Sequence, residues 1–536
     1  MDENIILPLL KYNKNTKKIA QEALENRIIP FPNFNAIPFD HKIWEYNKNG
    51  KETSYQLYIH SLRVVGELIK EYIKMSDIQY LFKAKEIIDS WITFSEEYTT
   101  SMTWYDHPTA NRTQVIIELI YYLKKYDDNF EVEKYLEQLR IHCKYLENDK
   151  NYRPNNHGIM MDRALLSAGL VLNNKFYYLK GKSRLQNTFW NSYSSNGVHL
   201  ENSPEYHLMV TKMYTEIESY LNKHDDTLGT DLNNMLDFSK KYLENIQKPD
   251  GYIPPIGDSS EFKINSELNW NNFNDTESGL TIIKDEKHEL YLGFICGFST
   301  STHKHADDLS IVLNYKAKDY IIDSGKYNYS KTPERYYVVS NKAHSSFQLN
   351  EKYKKENINK YKKDIWTDIY FDSDEYTIVS GYNNKYENSC LRRTVYYHKK
   401  LNVVIIRDIG KSIDNKNWIS RFNLSEKIKY RFINQSKIIL SNEGDFISIK
   451  NITNQKLDYL DSYKNQVVEK PFYAHKVNQK MYNSQLIYQD EEKKETESIF
   501  CITFNDDSDI QIVKKDNFIS IKNKDIESIL PIISMN

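Results

Sequence analysis

The densest chemistry in the chain lies at 303–308, where "HKHADD" sets two imidazoles one residue apart and follows them with two carboxylates. Neutral imidazole and carboxylate are ordinary zinc ligands, and imidazole also exchanges protons near neutral pH. On an extended backbone His303 and His305 would share one face. Asp323, in "YIIDSG", follows after the length of one strand, a turn at "KAKD" and a returning strand. His344 comes later, in "NKAHSSF". A hairpin can gather such distant ligands, while no HExxH and no cysteine framework accompanies them.

Three further clusters precede it. "RPNNHG" (153–158) places Asn155, Asn156 and His157 at a helix entrance. "ENSPEYH" (201–207) puts Tyr206 and His207 in the first turn after Pro204, and "PPIGDSS" (254–260) is a tight turn carrying Asp258. Capping alone accounts for Asn, Ser and Asp at such positions. It does not account for His157 or for the Tyr206–His207 pair. Glu201, Glu205 and Asp258 keep glycoside hydrolysis open, which needs two carboxyls roughly 5–10 Å apart across one bond. The isolated histidines His60, His107, His142, His224, His288, His398 and His475 read as hydrogen-bonded polar groups.

The elements that must position these residues change character midway. Apolar residues recur at helical spacing over 53–74, 80–94, 109–126, 131–147, 160–172, 204–224 and 230–247. Beyond about residue 280, short β-branched and aromatic runs alternate with turn residues almost to the end, as antiparallel strands do. The expected organisation is a helical domain over 1–275 and a β-sandwich over 276–536, since 536 residues exceed what one core usually supports. The net charge of −2 gives no global basic field for nucleic acid, and no stretch is long and apolar enough to span a membrane. Tyrosine is abundant, at 43 residues; codon bias explains most of it, and sugar contact is the functional reading of a few. The four scattered cysteines form no CxxC pair and read as reduced core residues. The N-terminal run lacks the basic and apolar regions of a signal peptide, so a cytoplasmic location is expected, or a periplasmic or secreted one if a signal was trimmed.

Taken in order, "NNHG", "ENSPEYH", "IGDSS", "HKHADDLSIVLNYKAKDYIIDSGKYNYS" and "RYYVVSNKAHSSF" resemble the heparinase II/III family of polysaccharide lyases and the related alginate lyases, with "WYDHPTANR" (Trp104, Pro108, Arg112) upstream. The resemblance covers about 50–430. It implies an incomplete (α/α) toroid followed by an antiparallel β-sandwich. It also implies a polysaccharide lyase that cleaves a uronate-containing glycan by β-elimination, taking the C5 proton and expelling the C4 oxygen. By the same resemblance, Asn156 and His157 bind the substrate carboxylate, Tyr206 is acid and on some epimers base, and His303 is a second base. Arg335 and Tyr329 contact substrate. His305, Asp323 and His344 hold one structural divalent metal, zinc by the family's habit. The family's alanine–histidine–asparagine run reads "AHSS" here, with Ser345 in the asparagine's place. A non-catalytic carbohydrate-binding or surface-polysaccharide assembly protein on the same fold is the alternative from another class.

Overall fold

The computed structural model describes residues 2–32, 34–40, 42–46, 53–351, 363–462, 470–505, 510–516, 518–523 and 526–535. The chain divides into two compact units, one of residues 1–192 and 212–236, the other of 193–211 and 237–536. Among the described residues no helix is long and apolar enough to cross a membrane.

The helical unit is built from α1 (Thr16–Leu24), α2 (Thr53–His60), α3 (Arg63–Met75), α4 (Ile78–Glu97), α5 (Asp106–Tyr126), α6 (Glu133–Glu147), α7 (Asn156–Val171) and α8 (Lys175–Ser192). It also takes the later turns of α9 (Pro204–Asn222) and the start of α10 (Thr230–Ser239). Successive helices pack as hairpins, α3 on α4, α5 on α6 and α7 on α8. One apolar core runs through them, with Leu68, Ile88, Trp91, Val115, Leu119, Leu139 and Leu165 fully buried.

The helix expected over 53–74 is two helices. Leu62 adopts a left-handed backbone, φ +51°. The carbonyl of His60 accepts a hydrogen bond from Arg112 Nη1 instead of continuing the helical ladder. That guanidinium also bonds His142 Nε2 at 2.8 Å and the Thr103 carbonyl at 2.9 Å. It lies 3.7 Å from the Trp91 ring centroid. A buried cation satisfied by neutral acceptors and an aromatic face thus ties four segments together. Helix α8 escaped the periodicity because its buried stripe is Gly181, Arg184, Leu185, Thr188 and Phe189, only two of them large and apolar.

The second unit is antiparallel throughout its extended sheets. A five-stranded sheet from Phe273 to Ile321 faces a ten-stranded one. Their shared core alternates as period-two strands demand: Leu290, Leu292 and Phe294 from one sheet meet Val395, Val404, Ile406 and Ile502 from the other. The strands Leu290–Ile295 and Ser310–Tyr315 are buried on both faces, because Tyr291, Ile295 and Val312 pack outward on Val198, Tyr242 and Ile246. Tyr242 and Ile246 belong to the short helix α11 (Tyr242–Ile246). A three-stranded sheet over 511–531 covers the far side through Ile519, Ile521 and Leu530. The expected fold class, helical array then antiparallel β-sandwich, is the one found. The four cysteines are unpaired, and Cys143, Cys296 and Cys501 are buried.

Buried neutral histidines make both units acid-sensitive. His60 takes the Trp91 indole N–H on Nδ1, and burial, with the Arg112 charge adding, lowers its pKa to about 3. His207 accepts the His199 N–H on Nδ1 and donates from Nε2 to the Ser239 carbonyl. Burial and the neighbouring His199 lower its pKa to about 3, and burial lowers His199 to about 4. An unfolded histidine titrates near 6.5, so each such group contributes stability that is complete above that value. The contribution is lost as pH falls toward the folded pKa, about 2 kcal/mol per histidine between pH 7 and 5. Denaturant titrations at the two pH values should show this loss; equal midpoints would mean these imidazoles are not held neutral.

Candidate active site

In the sheet-rich unit, three loops and a helix start converge. Ser203 precedes Pro204 at the entrance to α9; its Oγ accepts from the Tyr206 N–H and donates to the Asp258 carbonyl at 3.0 Å. Asn202 Nδ2 donates to the carbonyls of Thr300 and Thr302, 2.9 Å each, and so grips the loop that carries His303. Gly257 lies between them with φ +56°; a Cβ there would sit 2.2 Å from the Asn202 carbonyl oxygen and 3.0 Å from that of His303. Only glycine permits that approach. The N–H of Asp258 then bonds the His303 carbonyl at 3.2 Å.

This framework stacks the Tyr206 ring on the His303 imidazole, with centroids 3.5 Å apart and planes 22° from parallel. The Tyr206 hydroxyl lies 2.9 Å from that of Tyr329, whose side chain is largely exposed. Burial raises the Tyr206 pKa against the smaller pull of the Tyr329 hydrogen bond, so the phenol is protonated at neutral pH. His303 Nδ1 lies 3.2 Å from Glu201 Oε2. A carboxylate there favours the tautomer with Nδ1 protonated and Nε2 free to take a proton.

His303 and His305 do not share a face. The segment is a loop, His303 has φ +57°, and the two rings diverge: His303 to Tyr206 and Glu201, His305 to Asp258. A non-glycine residue in the left-handed region costs energy and is found where a site fixes it. The aspartates that follow hold lysines. The Lys304 side chain is buried and pairs with Asp307 and, at 3.0 Å, Asp308, which also binds Lys385.

Arg335, in the short helix α12 (Pro333–Val338), clasps Asp258 with both terminal nitrogens, Nη2 at 2.9 Å. Asp258 is buried and also takes His305 Nε2 at 2.9 Å. Burial alone would raise its carboxyl, but His305 and Arg335 outweigh it and hold it well below the usual range. Glu205 is likewise held down against burial by Lys326 Nζ and the Ser260 N–H, each at 2.8 Å. Neither carboxyl is suited to be the protonated acid of a glycoside hydrolase.

Asp323 and His344 lie just beyond. The hairpin is as expected, strand Ser310–Tyr315, a turn and strand Lys318–Ile321 leading into Asp323. His344 Nδ1 bonds Asp323 Oδ1, and the His305 and His344 rings lie 5.3 Å apart. All three side chains are buried, and His344 Nε2 and Asp323 Oδ2 have no hydrogen-bond partner among the described residues. Imidazole, imidazole and carboxylate with orphaned buried lone pairs suit zinc in chemistry. In this arrangement the lone pairs are partly taken by Asp323–His344 and Asp258–His305 bonds, and among the described residues no set of three or more such side chains is placed to hold an ion.

The helical unit has its own cluster. Asn155 Oδ1 caps α7 through the His157 and Gly158 N–H groups, and a Cβ on Gly158 would meet the Arg153 carbonyl oxygen at 2.1 Å. His157 Nδ1 donates to Asp106 Oδ1 at 3.0 Å, and the His107 ring lies 5.7 Å away. Burial pushes Asp106 up, but the hydrogen bond and charge of His157 prevail and keep it ionised. The carboxylate orients the imidazole and leaves Nε2 uncommitted. The Asn156 side chain is half-buried and makes no hydrogen bond among the described residues. Asp106 was not among the sequence candidates: at the first position of α5 it reads as an ordinary acidic residue of a first turn. Lys326 and the closeness of Glu201 to His303 were missed as well, and only tertiary contact reveals them.

Comparison with solved structures finds the same fold in several polysaccharide lyases. Heparinase III superposes with a TM-score of 0.79 at 14% identity, over 99% of this chain and 92% of that one. Heparan sulfate lyase HepC from Pedobacter heparinus gives 0.71 at 13%, over 98% and 90%. Chondroitin AC lyase from Streptomyces coelicolor A3 gives 0.60 at 8%, over 95% and 83%. No curated protein matches by sequence. Family models do match: the Heparinase II/III N-terminus model over residues 6–279, and the Heparinase II/III-like, C-terminal model over 271–509. Matched almost end to end by the family's two models, and folded as its lyases are, the chain belongs to the heparinase II/III family.

Proposed function

We propose that the protein is a polysaccharide lyase that cleaves a uronate-containing glycan by β-elimination. The observation that carries this reading is the stacked Tyr206–His303 pair, a protonated phenol on an imidazole whose Nδ1 faces a carboxylate. His303 Nε2 takes the C5 proton. The C–H electron pair forms the C4–C5 double bond, the C4–O bond breaks, and the Tyr206 hydroxyl protonates the departing oxygen. Charge developing on the uronate carboxylate must be stabilised by donors. For Asn156 and His157 in the helical unit we propose this role, which suits a free amide and an imidazole oriented by Asp106. Tyr329 and Arg335 position the pair, Tyr329 through the Tyr206 hydroxyl and Arg335 through Asp258.

Ultraviolet absorbance during incubation with a panel of uronate polysaccharides tests the reading. Only elimination leaves a double bond conjugated to the carboxylate. A rise that His303→Ala abolishes supports it; released reducing ends without absorbance would make the protein a hydrolase, and neither signal would favour a binding protein on this fold.

A structural zinc ion on His305, Asp323 and His344 is proposed alongside. Bound, it would fix the loop that carries His303 and take no part in proton transfer. Elemental analysis of the purified protein should give about one zinc per chain, with His344→Ala lowering both that content and the melting temperature. An equal, negligible metal content in both proteins would leave His344–Asp323 as a buried hydrogen-bonded pair.

A further inference from the structure

The ten-stranded sheet leaves a groove remote in sequence from every residue assigned above. Its long strand Ser484–Phe504 pairs with strand Lys456–Asp461 along its first part and with strand Asp445–Asn451 along its last. Beyond the latter come strands Lys437–Asn442 and Lys429–Phe432. The outermost strand, Lys429–Phe432, therefore faces Lys456–Asp461 without pairing to it, and a groove of about 770 Å³ opens beside them.

Its walls have the chemistry of sugar recognition. Phe432 and Tyr459 line it with ring centroids 5.3 Å apart, and Phe432 is exposed. Tyr430 packs on both rings and is pinned by its own hydroxyl to Asp461 at 2.5 Å, so the aromatic floor is stiff. Around it stand uncommitted polar groups. The side chains of Gln435 and Asn454 make no hydrogen bond among the described residues, and Asn434 spends only its oxygen, which accepts from the Ser436 N–H and hydroxyl and from the Lys437 N–H. Among the described residues the one charged lining residue is Lys456, and none of them pairs with it as a counter-ion. Aromatic faces take the C–H surface of a pyranose, amides take its hydroxyls, and a lone cation selects an acidic sugar. A volume in this range is that of a small-molecule site. Lys429 and Lys456, exposed on the two facing strands, are the residues that discourage addition of a further strand.

We propose that this groove is a second glycan-binding site, which holds an anionic polysaccharide chain away from the reacting bond. The groove is argued from its own residues; only the choice of uronate glycans as probes rests on the lyase reading.

Affinity electrophoresis through gels containing uronate or neutral polysaccharide tests it, with Tyr206→Phe as the parent so that the polymer stays intact. The expected result is roughly tenfold weaker retention by uronate polymer when Phe432→Ala and Tyr459→Ala are added together, and a smaller loss for the surface change Lys456→Glu, which keeps the rings. In the otherwise wild-type enzyme the same changes should leave turnover of a short uronate oligosaccharide unaltered and raise KM for the polymer. Unchanged retention in both variants overturns the proposal, as does absence of retention by the parent, or a switch from dimer to monomer that would make the groove a contact between copies. If no glycan yields ultraviolet-absorbing product but retention still depends on Phe432, Tyr459 and Lys456, the lyase reading falls and the groove stands.

Discussion

Tyr206→Phe is expected to lower kcat by about a thousandfold, within the range that a general acid or base contributes, while leaving KM and the melting temperature nearly unchanged. The phenyl ring keeps the 3.5 Å stack on His303 and the packing in the first turn of α9, so the fold loses only a hydroxyl. Among the described residues that hydroxyl has one hydrogen-bond partner, the exposed Tyr329. A neutral, solvent-accessible hydrogen bond of this kind is worth about 1 kcal/mol at most. The proton it would deliver to the C4 oxygen is another matter, because without it the leaving alkoxide must depart as an anion. Tyr329→Phe provides the comparison, since it removes the orienting partner and keeps the acid. A tenfold loss there beside a thousandfold loss at Tyr206 would assign the two roles. Steady-state kinetics and thermal melting of both variants decide it, and a Tyr206→Phe enzyme retaining a tenth of its activity would remove Tyr206 from proton transfer.

Much of this was legible in the residues, and where it was not the reason is physical. Helix and strand halves announce themselves because a period of 3.6 and a period of 2 follow from which face is buried. Periodicity failed where the buried stripe was not apolar: the inner face of α8 holds Gly181, Arg184 and Thr188. The break after α2 was invisible because its cause, the Arg112 bond to the His60 carbonyl, spans 52 residues. The site divides in the same way. Tyr206, His303, His305 and Asp258 stood out by type and by local motif, and the fold gathers them. Their separate tasks did not stand out. Spacing alone puts His303 and His305 on one face, whereas a single positive φ turns one ring toward Tyr206 and the other toward Asp258. Arg335 is an obvious candidate for an acidic substrate until a buried carboxylate is found to occupy both its terminal nitrogens.

That carboxylate carries the second large effect. Asp258→Ala is expected to cost about 3–5 kcal/mol of stability, as removal of one partner from a buried charge network does, and to abolish activity with it. The side chain is 1% exposed and is shared by Arg335 and His305, and among the described residues no second anion lies in reach of the guanidinium. Deleting it strands a cation in a desolvated place. The loss reaches His303 through the backbone, since the Asp258 N–H bonds the His303 carbonyl and its own carbonyl holds Ser203 at the entrance to α9. Stability and catalysis therefore share one residue, and a single substitution does not separate them. A double-mutant cycle does. Arg335→Leu removes the cation, so Asp258→Asn made on top of it should cost about 2 kcal/mol less than Asp258→Asn alone, because contacting charges couple by such amounts. Denaturant titration of the four proteins gives that coupling. If the two changes are additive instead, Arg335 does not depend on Asp258, and its guanidinium is free to serve the substrate directly.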